Sequence, residues 1–254
     1  MGSDKITGRK NKTAAVVLAA GSGRRMGSST KKQYMLLDGR PIIYYSLATF
    51  ERSPLIDTVI LVTGKDEIEY CRREIKEKFS FDKIKEITAG GAERYDSVYM
   101  GLCSCPTDTD IVFIHDGARP FVTEDMIARA YEDACTYGAC TVGIKTKDTI
   151  RIADSCGTAA VTPDRDRVWQ IQTPQVFDFA AASGSYKKLE ENKISLEEQG
   201  VKITDDAMVV EMYTGVRPHM TEGSYCNIKI TTPEDLIFGE ALIKADRRKK
   251  NDYE

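Results

Sequence analysis

Apolar residues along the chain fall into short runs, separated by longer stretches in which they recur every three or four positions. Runs of strand composition lie at 14–20, 57–62, 83–88, 110–115 and 139–144. Helical spacing predicts a helix over 41–51, where Ile42, Ile43, Tyr45, Leu47 and Phe50 recur and Pro41 suits a first turn. A second helix is expected over 66–79, with Ile68, Cys71, Ile75 and Phe79 on one stripe, and a third over 94–103, with Val98, Gly101 and Leu102 at core spacing. A fourth runs over 124–137 behind Thr123 as cap. Short apolar strands alternating with helices of this length predict an α/β fold: a mostly parallel twisted sheet with helices on both faces, Rossmann-like.

The rhythm breaks after residue 144. Two short extended runs, 149–153 and 158–161, flank Asp154-Ser155-Cys156-Gly157 and read as a hairpin. No helix follows to cover it, so an arm over about 147–167 is expected to protrude and pair subunits. The chain re-enters the core over 168–177 and turns helical over 178–194. Thr204 is expected to cap a helix with Asp205 and Asp206 in its first turn, ended by Gly215. Residues 216–220 read as an edge strand interrupted by Pro218, and 226–230 as a strand carrying Lys229. Thr232-Pro233-Glu234-Asp235 is a strong start for a last helix, expected to fray at 247–250. A flexible extension over 1–12, one domain over 13–246 and a charged tail over 247–254 complete the expected organisation.

Length and composition narrow the function. A chain of 254 residues can bury a large core. With Lys and Arg totalling 36 against 39 Asp and Glu, a broad nucleic-acid-binding face is not expected, and cationic sites must be local. The absence of a long apolar run or apolar signal core argues against a membrane protein and for a cytoplasmic enzyme. Seven cysteines without framework spacing and two histidines, His115 and His219, give no transition-metal pattern. Magnesium stays open, since it needs only one or two carboxylates beside substrate phosphates.

The densest chemistry follows the first strand, in LAAGSGRRMG and KKQY. Ala19 and Ala20 lead into Gly21, Ser22 and Gly23, whose backbone can turn tightly and offer N–H groups to an anion, and Arg24, Arg25, Lys31 and Lys32 follow. The third glycine, Gly27, comes one position late for a dinucleotide fingerprint, and the chain has no Walker-type loop. Arginines here suit a triphosphate whose charge must be neutralised during reaction; a solvated basic loop is the simpler reading. Gly90-Gly91-Ala92-Glu93-Arg94 sits at another strand exit, where backbone groups can read a base edge. At a third exit, Asp116 and Arg119 can bind a metal–phosphate unit or substrate hydroxyls, or pin a turn to each other. Lys229 interrupts a strand-forming run, so its ammonium emerges at an edge or points into a polar site. His115 reads as packed at its strand end rather than catalytic.

Taken in order, LAAGSGRRMG, KKQY, GGAERYDSV, HDGARPF, TPQVF, ITDDA and NIKITTPEDL resemble the 2-C-methyl-D-erythritol 4-phosphate cytidylyltransferase family over about residues 13–242. The resemblance implies a nucleotidyltransferase domain that dimerises through a β-arm and uses Mg2+. It implies transfer of CMP from CTP to a sugar-alcohol phosphate, with release of pyrophosphate, in isoprenoid precursor synthesis. Arg25 and Lys32 match the family's triphosphate-binding, transition-state cations, and Lys229 its lysine near the reacting phosphates. Gly91, Ala92 and Ser97 fall where cytosine and ribose are recognised, with Arg94 beside them; the family more often carries an acid at 92. Asp116 and Arg119 match the substrate and metal-side pair. Thr149 and Arg165 match residues that grip the acceptor phosphate in the neighbouring subunit's site, and Thr204 and Asp205 an active-site loop. Ribitol-5-phosphate cytidylyltransferases share the loop, but Gly117-Ala118 before Arg119 and Thr162-Pro163-Asp164-Arg165 look nearer to the erythritol type. The same motifs leave open a catalytically silent nucleotide-binding domain and a sugar-1-phosphate nucleotidyltransferase.

Overall fold

The structure, a computed structural model, describes residues 11–21 and 31–251, and of residues 246–251 the backbone alone. Strand β1 (Thr13–Leu18) is followed by the two-residue strands β2 (Leu36–Leu37) and β3 (Arg40–Pro41), α1 (Ile42–Arg52) and β4 (Thr58–Thr63). Next come α2 (Ile68–Tyr70), β5 (Ile84–Ala89), α3 (Arg94–Cys103), β6 (Ile111–Asp116), α4 (Glu124–Tyr137) and β7 (Ala139–Lys145). A hairpin of β8 (Ile152–Ala153) and β9 (Ala159–Val161) precedes β10 (Trp169–Asp178), α5 (Phe179–Glu198), α6 (Asp206–Thr214), β11 (His219–Glu222) and α7 (Pro233–Asn251).

Among the described residues the main sheet runs in the order β11-β7-β10-β6-β1-β4-β5. All its pairings are parallel except those of β10, which is antiparallel to β6 and β7. Every residue of β6 is buried, as a central strand covered on both faces requires. Alternate residues feed opposite layers. Val17, Leu61 and Phe113 pack with Phe50 and Ile75 on one side, while Val16, Ile60 and Val112 pack with Val98, Leu102 and Tyr186 on the other. Each such side chain contributes on the order of 2 kcal/mol on burial. Thr123 caps α4 through the Met126 N–H at 3.2 Å, as the sequence suggests.

Four expectations need correction. The second helix is α-helical only over Ile68–Tyr70; Cys71–Glu77 widens into a π-helical stretch, with Lys78 N–H bonded to the Arg73 carbonyl at 3.1 Å, and still buries Cys71 and Ile75. The helix expected over 178–194 extends to Glu198. Asp205, not Thr204, caps α6, its carboxylate accepting from the Met208 N–H at 2.9 Å. A carboxylate at a helix N-terminus is also favoured by the macrodipole, which a threonine hydroxyl does not exploit. Residues 226–230 form no strand. They cross the end of the sheet, where side chains replace the ladder: Asn227 donates to the Thr173 carbonyl at 3.0 Å, Arg119 donates to the Asn227 carbonyl at 2.9 Å, and Ile230 N–H bonds the Ala118 carbonyl at 2.8 Å.

Candidate active site

The parallel strands β1, β4, β5 and β6 all end on one side of the sheet, and the segments leaving β1, β5 and β6 enclose a cavity of about 370 Å³. Leu18, Ala19, Ala20 and Gly21 form one wall, and Gly91, Ala92, Glu93, Arg94 and Ser97 another. Lys32, Gln33, Asp116, Ala118 and Lys229 complete it. Close backbone approach explains the glycines of the second wall. A Cβ on Gly90 would stand 2.6 Å from both Ala20 Cβ and Ser97 Oγ, and one on Gly91 would stand 2.3 Å from Asp96 Cβ. Ser97 locks this turn, accepting from Gly91 N–H and donating to the Glu93 carbonyl, both at 3.2 Å.

Asp116 is the charge hub. Lys229 Nζ lies 2.7 Å from its Oδ2, Arg94 Nε 3.3 Å from its Oδ1, and Arg119 Nε 3.7 Å from its Oδ2. Burial opposes ionisation of this carboxyl, but the charges of Arg94, Lys229 and Arg119 outweigh burial and hold it well below the usual carboxylate range. Arg94 is itself held by a bidentate pair with Asp206, at 2.7 Å on both arms. Asp206 is fully buried and also accepts a hydrogen bond from the Tyr186 hydroxyl. Behind the hub, His115 is fully buried, with Nε2 3.1 Å from the Arg119 carbonyl and Nδ1 3.1 Å from Thr173 Oγ1. A carbonyl only accepts, so Nε2 carries the proton and Nδ1 accepts from Thr173, whose oxygen in turn accepts from the Asp116 N–H at 3.1 Å. Burial pushes His115 down to about 4, which keeps the ring neutral.

The structure thus brings together Ala19, Ala20, Gly21, Lys32, Gly91, Ala92, Arg94, Ser97, Asp116 and Lys229 from the sequence-derived set. Arg119 stands behind Asp116 rather than lining the cavity, bonded to the carbonyls of Asn227 and Ile171 at 2.9 and 3.4 Å. Asp205 is occupied as the α6 cap and by Gln175 at 3.1 Å, and Thr204 lies next to it. Thr149 and Arg165 are exposed on the arm and line no part of this cavity. Arg25, Ser22 and Gly23 fall outside the described residues. Sequence reasoning misses Gln33, Asp206, Tyr186 and Thr173 as functional residues; Gln33 sits in KKQY and Thr173 in TPQVF, while nothing in the sequence links Tyr186 to Asp206.

Two carboxylates, Asp116 and Glu93, border the cavity, and among the described residues no cluster of three or more His, Cys, Asp or Glu gathers. This donor set fits Mg2+ that takes its remaining ligands from phosphates and water, and not a closed transition-metal site. A larger cleft of about 620 Å³ lies between α1, residues 120–123 and α7, with a largely apolar and aromatic lining. Its arginines are engaged, Arg40 on Tyr44 and Arg52 on Glu124, so charge selects the smaller cavity for a polyanion. Among the described residues no helix is long and apolar enough to cross a membrane.

The family model for IspD, 2-C-methyl-D-erythritol 4-phosphate cytidylyltransferase, matches residues 13–245. Proteins of that name from Lachnoclostridium phytofermentans and Clostridium botulinum are 45% and 46% identical, aligned over 92% and 91% of this chain and 97% and 98% of their own lengths. The crystal structure of 4-diphosphocytidyl-2C-methyl-D-erythritol synthase from Anaerococcus prevotii superposes with a TM-score of 0.80 at 32% identity, covering 92% of this chain and 97% of that one. A Francisella tularensis 2-C-methyl-D-erythritol 4-phosphate cytidylyltransferase gives 0.71 at 28% identity, over 90% and 98%. With the glycine walls, the cationic hub and these matches together, the chain belongs to the 2-C-methyl-D-erythritol 4-phosphate cytidylyltransferase family.

Proposed function

We propose that the protein transfers CMP from CTP to 2-C-methyl-D-erythritol 4-phosphate and releases pyrophosphate, a step of non-mevalonate isoprenoid precursor synthesis. The observation that carries this reading is the convergence of Lys32 and Lys229, from opposite ends of the chain, on one cavity walled by residues 18–21 and 91–94. The acceptor phosphate is already anionic at neutral pH, so no protein nucleophile is needed. Its oxygen forms a bond to the α-phosphorus as the bond to the β-phosphate oxygen breaks, and pyrophosphate leaves with that electron pair. The protein's task is to bring two anions together and stabilise the charge of the five-coordinate transition state.

Each residue then has a stated part. Lys32 and Lys229, with Arg25, neutralise the phosphates. Backbone groups of 19–23 cradle the triphosphate, and Gly91, Ala92 and Ser97 meet the base and ribose. Arg94 serves the nucleotide side indirectly, bridging Asp116 on one side and the buried Asp206 on the other. Mg2+ would be held by Asp116 and the CTP phosphates, supplying further charge neutralisation.

The acceptor phosphate is gripped by Thr149 and Arg165 of the neighbouring subunit in a homodimer, with Arg119, Thr204 and Asp205 on the acceptor side. Two features support pairing through the arm of about 147–167: Thr149 and Arg165 are exposed away from their own cavity, and the cross-strand pair Ile152 and Val161 is 54% exposed at both positions. The test is pyrophosphate release from CTP with methylerythritol phosphate and ribitol 5-phosphate in competition. Preferential consumption of the erythritol acceptor, with little turnover of ATP, GTP or UTP, is expected. Preference for ribitol phosphate, or CTP binding without turnover of either acceptor, would refute the assignment.

A further inference from the structure

Lys32 is held in place by its neighbours in sequence, each tied to a different part of the sheet. Gln33 Nε2 donates to the carbonyls of Ala19 and Gly21, the latter at 3.3 Å, which fixes one side to the exit of β1. On the other side Tyr34 places its hydroxyl 2.6 Å from Thr63 Oγ1, and Lys31 Nζ lies 2.9 Å from Glu67 Oε1. Glu67 gathers this second anchor into one carboxylate. Its Oε2 accepts from Gly64 N–H at 3.1 Å, Thr63 Oγ1 at 3.2 Å and the Tyr34 hydroxyl at 3.4 Å.

The space for this arrangement exists because residue 64 is glycine. A Cβ there would stand 2.7 Å from Glu67 Oε2 and 2.8 Å from Lys31 Nζ. The Lys31 and Glu67 side chains are 33% and 18% exposed, so their attraction is less screened than that of a surface pair. Neither lines the cavity, so neither touches substrate there.

We propose that Glu67 is a positioning residue: by pinning Lys31 and Tyr34 on either side of Lys32, it sets where the Lys32 ammonium enters the cavity. This rests on the reading of Lys32 as a transition-state cation. A small misplacement of such a group is enough to slow the chemical step strongly.

The experiment measures kcat, KM and melting temperature for Glu67→Gln, Lys31→Met, Lys31→Arg and the Glu67→Gln/Lys31→Met pair, each also in a Lys32→Ala background. Glu67→Gln keeps an acceptor for Gly64 N–H and removes the charge. It is expected to lower kcat roughly 10-fold with acceptor KM within about twofold, as for a coupling of 1 to 2 kcal/mol. Lys31→Met should match it, the double variant should be no worse than either single, and Lys31→Arg should keep most of the turnover. In the Lys32→Ala background Glu67→Gln should change kcat little, which a purely structural role does not predict. If Lys32→Ala is slow but folded Glu67→Gln turns over like the parent, or if the Glu67 effect persists undiminished without Lys32, the positioning role is overturned. Near-normal turnover by Lys32→Ala would instead overturn the underlying reading of Lys32.

Discussion

Lys229 Nζ lies 2.7 Å from Asp116 Oδ2, joining a coil segment late in the chain to the last residue of β6. Asp116 is 8% exposed and meets Arg94 and Arg119 as well, so one carboxylate orders three cations at the mouth of the sheet. The surplus positive charge prepares the cavity for a polyphosphate before it binds. Removing the anion releases Lys229 and leaves the cations to repel one another. Asp116→Asn is therefore expected to lower kcat at least ~10²-fold and to destabilise the fold by about 3 kcal/mol. Steady-state kinetics and urea unfolding of the same preparation check both effects.

Asp206 carries a different burden. It is fully buried, paired through both oxygens with Arg94, and bonded to Tyr186 in the heart of α5. Asp206→Ala removes the bidentate partner of Arg94, leaving it Asp116 alone, and should cost about 3 kcal/mol, against about 1 for Tyr186→Phe. Chemical denaturation of the two variants distinguishes these sizes. Equal, sub-kilocalorie losses would mean that the network is slack.

His115 makes stability depend on pH with a definite sign. Its folded-state pKa of about 4 lies below the ordinary histidine value near 6.5, so between those values the unfolded chain binds the extra proton. Stability from this group is present above about pH 6.5 and lost as pH falls toward 4. Between pH 7 and pH 5 the loss amounts to about 2 kcal/mol. Asp116 adds a second loss only at lower pH: its lowered pKa stabilises the fold above the unfolded carboxylate value near 3.9, and that share disappears on acidification. Urea titrations at the two pH values, repeated on His115→Asn, should show the slope between pH 7 and 5 flattening in the variant.

The arm supplies a prediction for assembly. Ile152 and Val161 face each other across the hairpin and are both half exposed, a pair that a partner's surface is expected to cover. In the homodimer proposed above, Ile152→Asp/Val161→Asp should shift the equilibrium toward monomer in sedimentation and reduce turnover at low enzyme concentration, with less effect on melting. An unchanged dimer would place the contact elsewhere.

Much of the fold was legible because its signals are local. The main-sheet runs at 14–20, 57–62, 83–88, 110–115 and 139–144, the Thr123 cap and the Gly215 stop are each written within a few residues and appear within a residue or two of expectation. The strand read over 216–220, by contrast, starts only at His219, after Pro218, and the run read over 149–153 is a strand only at Ile152–Ala153. Residues 226–230 misled because β-forming composition cannot say whether a strand edge is free to receive them; here Asn227 and Arg119 hold the backbone instead. Lys229 still reaches the cavity, since its position depends on those anchors and not on a ladder. The partnership of Arg94 with Asp206 and Tyr186 was invisible because it joins α3, α6 and α5, and no local rule connects residues so far apart. Arg94 therefore read as a nucleotide contact from its motif alone.

In the proposed reaction, cations from distant segments speed one anion's attack on another. The most direct test is the single-turnover rate of CMP transfer in Lys32→Ala, with CTP and methylerythritol phosphate saturating. A fall of at least ~10²-fold in that rate, with melting temperature nearly unchanged, is the predicted result. Transfer at close to the parent rate by the folded variant would mean that the Lys32 charge does not act in the transition state.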